Sequence, residues 1–305
     1  GFFIDRSLLR HNKFADRGSY AMSATRGIRK RIFTQLVDRI SKIGSVNTRA
    51  ITHKRLGILQ YKNSKVSGEE YFITEILPAL IKGVASPIIF DIGLNEGDYS
   101  RQLNKVFPDA HLFGFEPVVK TFRRASNNLA DIEDAKLENM AVSEESGDIE
   151  MFDYFDGHGS SHASIYEGVL TEQHRASQVT SETVECVTLD QYVTGRDIDQ
   201  IDFVKIDTEG HELSVLKGAK ELLRNRRIKV VQFEFNEMNV FSRSFLRDFY
   251  SVLDGFTFFR LREDGLLPLG QYDTNNEIFK FQNIIAISND LSHRAAPFEI
   301  AKPWK

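Results

Sequence analysis

From residue 86 onward the apolar positions gather into short runs at 88–92, 111–115, 136–142, 201–206, 228–235, 256–261 and 281–287, separated by stretches with helical spacing. Short continuous apolar runs suit strands buried on both faces, and the amphipathic stretches at 97–107, 117–130, 211–224 and 242–253 suit helices that cover them. The alternation predicts an α/β fold, with seven strands in a doubly wound, largely parallel sheet. Residues 143–200 depart from this rhythm and are rich in Ser, Gly, Glu and Asp. A hairpin or short strands are expected there around 148–154 and 183–189, flanking a loop at 156–164.

Ahead of the alternation, Ile28, Ile32, Phe33, Leu36, Val37, Ile40 and Ile43 recur at the spacing of one helical face, with basic residues opposite. A second helix is expected at 69–82, with Phe72, Ile73, Ile76, Leu77 and Leu80 on one side and Pro78 as a kink. The expected organisation is a basic, mostly helical extension at 1–85, a main domain at 86–290 and a tail at 291–305.

Charge separates these parts further. The chain has a net charge of -4, yet residues 1–66 hold 15 Lys/Arg against 3 Asp/Glu, and the remainder 24 against 40. Such an arm can dock on the acidic body or meet an anionic substrate. It lacks the Gly/aromatic interleaving of single-strand binders, so nucleic acid is not the expected partner. Its helices offer a face for a homodimer. With 305 residues and 41% hydrophobic content the chain can build a sizeable core. Its single cysteine, Cys186, excludes an internal disulfide framework and suits a reducing compartment. No apolar run is long enough for a transmembrane segment, and the first residues break into charge too early for a secretory signal, so a cytoplasmic location is expected.

The candidate chemistry sits at strand ends. "FDIGLNEGDYS" (90–100) follows the first strand with Gly93 and Gly97 in a G-x-x-x-G spacing, lacking both the third glycine of a dinucleotide fingerprint and the Gly-Lys-Ser/Thr ending of a P-loop. Glu116, 23 residues after Gly93 and at the end of the second strand, can accept both hydroxyls of an adenosine ribose. A pyrophosphate needs amides and positive charge. Here the acids Asp91 and Glu96 can balance an ammonium, which favours S-adenosylmethionine over NAD. A second set, Asp207, Thr208 and Glu209 with His211, is delivered by the strand at 201–206 to the same edge. Asp207, Glu209 and His211 are the catalytic candidates, and Lys205 is expected to pair with an acid. Glu234 would join the acceptor pocket, with His158, Ser160, Ser161 and His162 in a lid over it. Asp207, Glu209 and Glu234 are also oxygen ligands of the kind that suits Mg²⁺, an alternative to a metal-free site.

The stretches "DIGLNEGDYS", "FGFEP", "ENMAVS", "VTLDQY" and "IDFVKIDTEGHELSVLKGA", in that order, resemble the FkbM family of S-adenosylmethionine-dependent O-methyltransferases over about residues 86–290. The resemblance implies the class I methyltransferase fold, a Rossmann-like seven-stranded sheet whose last strand is antiparallel. It also implies methyl transfer to a hydroxyl of a sugar, glycoconjugate or natural product. Carried across by position, Asp91, Gly93, Asn95 and Gly97 would surround the methionine moiety, Glu116 the ribose, and Asn139, Met140 and Ala141 the adenine. Leu94 stands where the family commonly has Ala. Two other readings stand beside this one, a non-catalytic binding module on a methyltransferase fold and an NAD-dependent oxidoreductase.

Overall fold

A computed structural model describes residues 34–36, 39, 47–154, 163–173, 175–176 and 178–301. The chain forms two compact units, residues 1–53 and 54–305. The boundary lies ahead of the expected residue 85, so residues 54–85 belong with the sheet. In the first unit, most of the expected amphipathic face (Ile28, Ile32, Phe33, Val37, Ile40 and Ile43) lies outside the described residues.

In the second unit the apolar runs become β1 (Ile88–Ile92), β2 (His111–Phe115), β3 (Ala135–Glu138), β4 (Ala141–Val142), β5 (Gly147–Tyr154), β6 (Val179–Val187), β7 (Ile201–Ile206), β8 (Ile228–Glu234), β9 (Phe256–Arg262), β10 (Gly265–Pro268) and β11 (Asn283–Ser288). Eight of them form the main sheet in the order β10-β9-β11-β8-β7-β1-β2-β3. The β3-β2-β1-β7-β8 half is parallel, and β11 runs antiparallel between β8 and β9. This is the class I methyltransferase order with one added edge strand. The addition, β10, is a short hairpin partner of β9 ending in Pro268, which an edge position tolerates.

Three departures from the expected elements have local causes. The run at 136–142 divides because the Asn139 side chain donates to the carbonyls of Glu116 (2.8 Å) and Pro117 (2.9 Å), turning the chain out of the main sheet. After this turn β4 joins β6 and β5 in a separate three-stranded sheet, which places the expected hairpin. The helix at 211–224 breaks into Glu212–Lys217 and Lys220–Arg224. At Gly218 a Cβ would stand 2.0 Å from the Ser143 carbonyl oxygen, so backbone takes the place of a side chain. In the 69–80 segment, Pro78 has no N–H for the carbonyl four residues back. The chain adopts a π turn over Phe72–Ile76, with the Leu77 amide bonded to the Phe72 carbonyl.

Alternation along the strands sends neighbours to opposite layers. Phe90 and Val204 enter one core with Phe115, Ile206 and Phe249, whereas Ile89 and Phe203 enter the other with Leu112, Val230 and Ile285. Phe72, Ile73, Ile76, Leu77 and Leu80 are buried in the second core, and Phe72 meets Phe203 at 5.5 Å between ring centroids. Each contributes about 1.5–3 kcal/mol on burial, which holds the 61–80 segment beside the ends of β1, β7 and β8. The tail is also docked, since the Ile300 amide donates to the Leu266 carbonyl at 2.8 Å.

Candidate active site

β1 lies between β2 and β7, so the loops leaving all three meet at one edge. Gly93 has a left-handed φ of 83°, and a Cβ there would stand 1.8 Å from the Asp207 carbonyl oxygen. Its amide and that of Leu94 donate to the Phe115 carbonyl at 3.1 and 2.9 Å. The loop is thereby pinned between the ends of β2 and β7. Asn95, also left-handed with φ 49°, turns its amide onto Glu116 Oε2 at 3.0 Å, and the Val118 amide donates to Oε1 at 2.9 Å. Each Glu116 oxygen therefore accepts one amide and keeps a second lone pair for a ligand.

Glu116 is 7% exposed. Burial raises its carboxyl to about 7, against the pull of the Val118 and Asn95 amides. The ionised form, populated above that pH, is the one that accepts ribose hydroxyls. Affinity for S-adenosylhomocysteine is therefore expected to fall about tenfold between pH 8 and pH 6, measured by calorimetric titration. A flat profile would separate Glu116 from ligand binding.

Gly93, Asn95, Glu116, Met140, Ala141, Asp207, Glu209 and His211 line one cleft of about 670 Å³. Phe115, Pro117, Val142, Met151 and Ile165 complete its apolar wall, a slot suited to a flat ring. Asp91, Gly97 and Asn139 do not line this cleft. Asp91 is 1% exposed, accepts the Ser100 hydroxyl at 2.7 Å, and keeps Oδ1 without a hydrogen-bond donor. Gly97 packs against the Leu129 side chain where the next helix begins.

The turn after β7 is organised by Glu212, a buried residue not singled out from the sequence. Its Oε1 accepts from the Thr208 amide (3.0 Å), the Thr208 hydroxyl (3.2 Å) and the Gly210 amide (3.0 Å). The available signal was an acid in the first turn of a helix, where free amides gather. With Glu209 at φ 51° and Gly210 at φ 102°, the turn presents Asp207 and Glu209 to the cleft. His211 is 5% exposed, with Nε2 2.9 Å from the Ser143 hydroxyl and Nδ1 3.3 Å from the Tyr166 hydroxyl. Burial lowers its pKa to about 4, so the ring is neutral at pH 7.

A second cleft of about 1270 Å³ meets the first at Gly93, Asn95 and Asp207, which line both. Lys205 lies at its base, with Nζ 3.0 Å from Asp207 Oδ2, 3.8 Å from Asp91 Oδ1 and 5.0 Å from the centre of the Tyr99 ring. Burial alone would pull this amine down, but Asp207, Asp91 and Glu69 override it and hold the ammonium firmly protonated. Glu69 accepts the Ser67 hydroxyl at 2.7 Å and the Gln232 amide at 3.2 Å. Glu234 lines the same cleft, its carboxyl pushed upward by burial and then by Asp207, Glu209 and Glu69. Glu69 is a further cleft residue that sequence reasoning passed over.

Among the described residues no group of three or more His, Cys, Asp and Glu side chains could hold a metal ion. Asp207 is turned to the Lys205 ammonium, so the Mg²⁺ set of Asp207, Glu209 and Glu234 does not assemble. The lid residues His158, Ser160, Ser161 and His162 lie outside the described residues.

Comparison with known proteins gives the following. The Methyltransferase FkbM domain model matches residues 91–260. The 2-O-methyltransferase NoeI of Sinorhizobium fredii is 27% identical over 50% of this chain and 65% of its own length. The hexuronic acid methyltransferase AglP of Haloferax volcanii is 28% identical over 48% of this chain and 55% of its own length. Methyltransferase sdnD of Sordaria araneosa is 29% identical over 46% and 65%. The match thus spans less than two thirds of each of these relatives.

Proposed function

The chain belongs to the FkbM methyltransferase family, and on that premise we propose that it moves a methyl group from S-adenosylmethionine to a hydroxyl of a sugar, glycoconjugate or natural-product-like small molecule. The observation that carries this reading is the Glu116 carboxylate, positioned by two amides at the mouth of an apolar slot beside the Gly93 turn. That donor set fits an adenosine: hydroxyls on Glu116, the base against Met140 and Ala141, and the amino-acid end toward Gly93 and Asn95. When bound, S-adenosylmethionine supplies a methyl group on positively charged sulfur.

The chain's own groups hold the acceptor and take its proton. Methyl transfer breaks a carbon–sulfur bond, forms a carbon–oxygen bond and releases the hydroxyl proton. A carboxylate where the two clefts meet can receive that proton. Asp207 is the one catalytic candidate that lines both clefts, with Oδ2 steadied by Lys205. His211, neutral and engaged at both nitrogens in the first cleft, fits as part of the cofactor wall, and Glu209 lines that cleft with it. Glu234 lines the acceptor side. Asp207→Asn is expected to lower kcat about 10²–10³-fold while leaving S-adenosylhomocysteine affinity within about threefold. Turnover within about threefold of wild type in a labelled-methyl assay would reject Asp207 as the proton acceptor.

No helix among the described residues is long and apolar enough to cross a membrane. In this reading the setting is cytoplasmic and the acceptor is a small molecule or glycan rather than a nucleic acid. The N-terminal helices would serve homodimer formation. Sedimentation of the full chain against one beginning at Lys54 tests that role.

A further inference from the structure

The second cleft is closed on one side by residues 61–69, which precede the family match at 91–260. This wall is built into the fold. A Cβ on Gly57 would stand 2.7 Å from the Leu261 carbonyl oxygen, and one on Gly68 would stand 2.2 Å from that of Arg262. The segment therefore lies backbone against backbone on β9. Arg262 Nη1 donates to the Arg55 carbonyl at 2.7 Å, and the Leu59 amide donates to the Phe281 carbonyl at 2.8 Å.

Two features of the wall face the cleft. Tyr61 is 68% exposed, and its ring meets Phe281 edge-on at 5.8 Å and 81°, so Phe281 supports the ring while most of it stays open. A half-open aromatic ring at the rim of a polar cleft is a platform for the C–H face of a sugar, because it offers apolar area beside hydrogen-bonding groups. Asn63, Ser64 and Gln102 supply neutral polar groups to the same cleft. The second feature is charge: Glu69, Asp98, Asp207 and Glu234 line the cleft, and Lys205 already pairs with Asp207.

Resting on the methyltransferase reading above, we propose that this cleft is the acceptor subsite, and that it takes a sugar ring free of carboxylate, stacked on Tyr61 with hydroxyls toward Glu69 and Glu234. Carboxyl groups exchange hydrogen bonds with sugar hydroxyls whether charged or protonated, whereas a uronate carboxylate would enter among the acidic side chains of Glu69, Asp98, Asp207 and Glu234 and meet, among the described residues, one lining cation, Lys205, which Asp207 already engages. The acceptor then differs from the hexuronic acid in the name of one relative. Tyr61 and Glu69 set specificity, and neither lies in the matched family region.

The test uses the full chain loaded with S-adenosylhomocysteine and a panel of methyl hexosides, methyl hexosaminides and methyl hexuronides, with dissociation constants from ligand-observed NMR. Hexosides or hexosaminides are expected to bind at least about tenfold tighter than the matching hexuronides. Tyr61→Ala should weaken that binding about tenfold while S-adenosylhomocysteine affinity is unchanged. Glu69→Gln should narrow the discrimination against hexuronides by at least about threefold. Hexuronides binding as tightly as hexosides, binding indifferent to Tyr61→Ala, or no binding by any panel member would each overturn the acceptor assignment alone. Failure of the wild-type chain to bind S-adenosylhomocysteine would overturn the cofactor reading and the acceptor assignment with it.

Discussion

Lys205→Met is expected to lower the stability of the second unit by about 3–5 kcal/mol, the range for removing one partner of a buried ion pair. The cause lies in β7. Lys205 is in register with Asp91 on β1, and both are almost wholly buried, at 6% and 1% exposure. With the ammonium removed, Asp91 keeps the Ser100 hydroxyl at 2.7 Å but is left with the Asp207 carboxylate as a like-charged neighbour. Burial already pushes its carboxyl upward, tempered by Lys205 and then by Ser100. In the variant that counterweight is gone. Adding Asp91→Asn to Lys205→Met should recover part of the loss, because the charge left without a partner is then removed. Urea unfolding of the three proteins measures both effects. A loss below about 1 kcal/mol for Lys205→Met, or no recovery in the double variant, would contradict the role given to the pair.

Gly93→Ala should have a comparable effect by a different route. A methyl at this position meets the Asp207 carbonyl oxygen at 1.8 Å, and the backbone holds a φ of 83° that side chains rarely adopt. Strain in the left-handed region alone costs about 1–3 kcal/mol, and relief of the clash requires β1 and β7 to separate at the point where the two clefts meet. The expected outcome is a stability loss above about 3 kcal/mol together with loss of S-adenosylhomocysteine binding. Gly83→Ala is the control, since Gly83 has a φ of 95° but nothing within 4 Å of the added Cβ. Its loss should stay near about 1 kcal/mol with binding intact. Equal losses in the two variants would mean that the close approach at Gly93 has no special weight.

The parallel strands were legible because burial on both faces leaves a mark that needs no tertiary knowledge. Ile88–Ile92 and Ile201–Ile206 are continuous apolar runs interrupted by Asp91, and by Asp202 and Lys205, and the interruption at Lys205 announced an ion pair. The glycine turn and Glu116 were legible for a similar reason, since their chemistry is tied to strand ends. What escaped was set by contacts between distant segments. Gly218 breaks a helix only because the Ser143 backbone lies against it. β10 is four residues long and gains its place by pairing with β9. Glu69 follows Gly68 in what reads as the exposed start of an amphipathic helix, and only the packing of Phe72 and Ile73 against the sheet carries it to Lys205. His211 reads as a base from its residue type, whereas its depth and its two hydroxyl partners, Ser143 and Tyr166, depend on packing that its residue type does not announce.

Glu116 and the Gly93 turn are proposed to hold the adenosine of a sulfonium cofactor. Calorimetric titration of the full chain at pH 8 with S-adenosylhomocysteine and with NAD, on the wild type and on Glu116→Ala, tests it most directly. One saturable site is expected for S-adenosylhomocysteine, weakened about 100-fold in Glu116→Ala by loss of charged hydrogen bonds to two hydroxyls, with no comparable NAD binding. Tighter binding of NAD, or S-adenosylhomocysteine binding that survives Glu116→Ala unchanged, would contradict it.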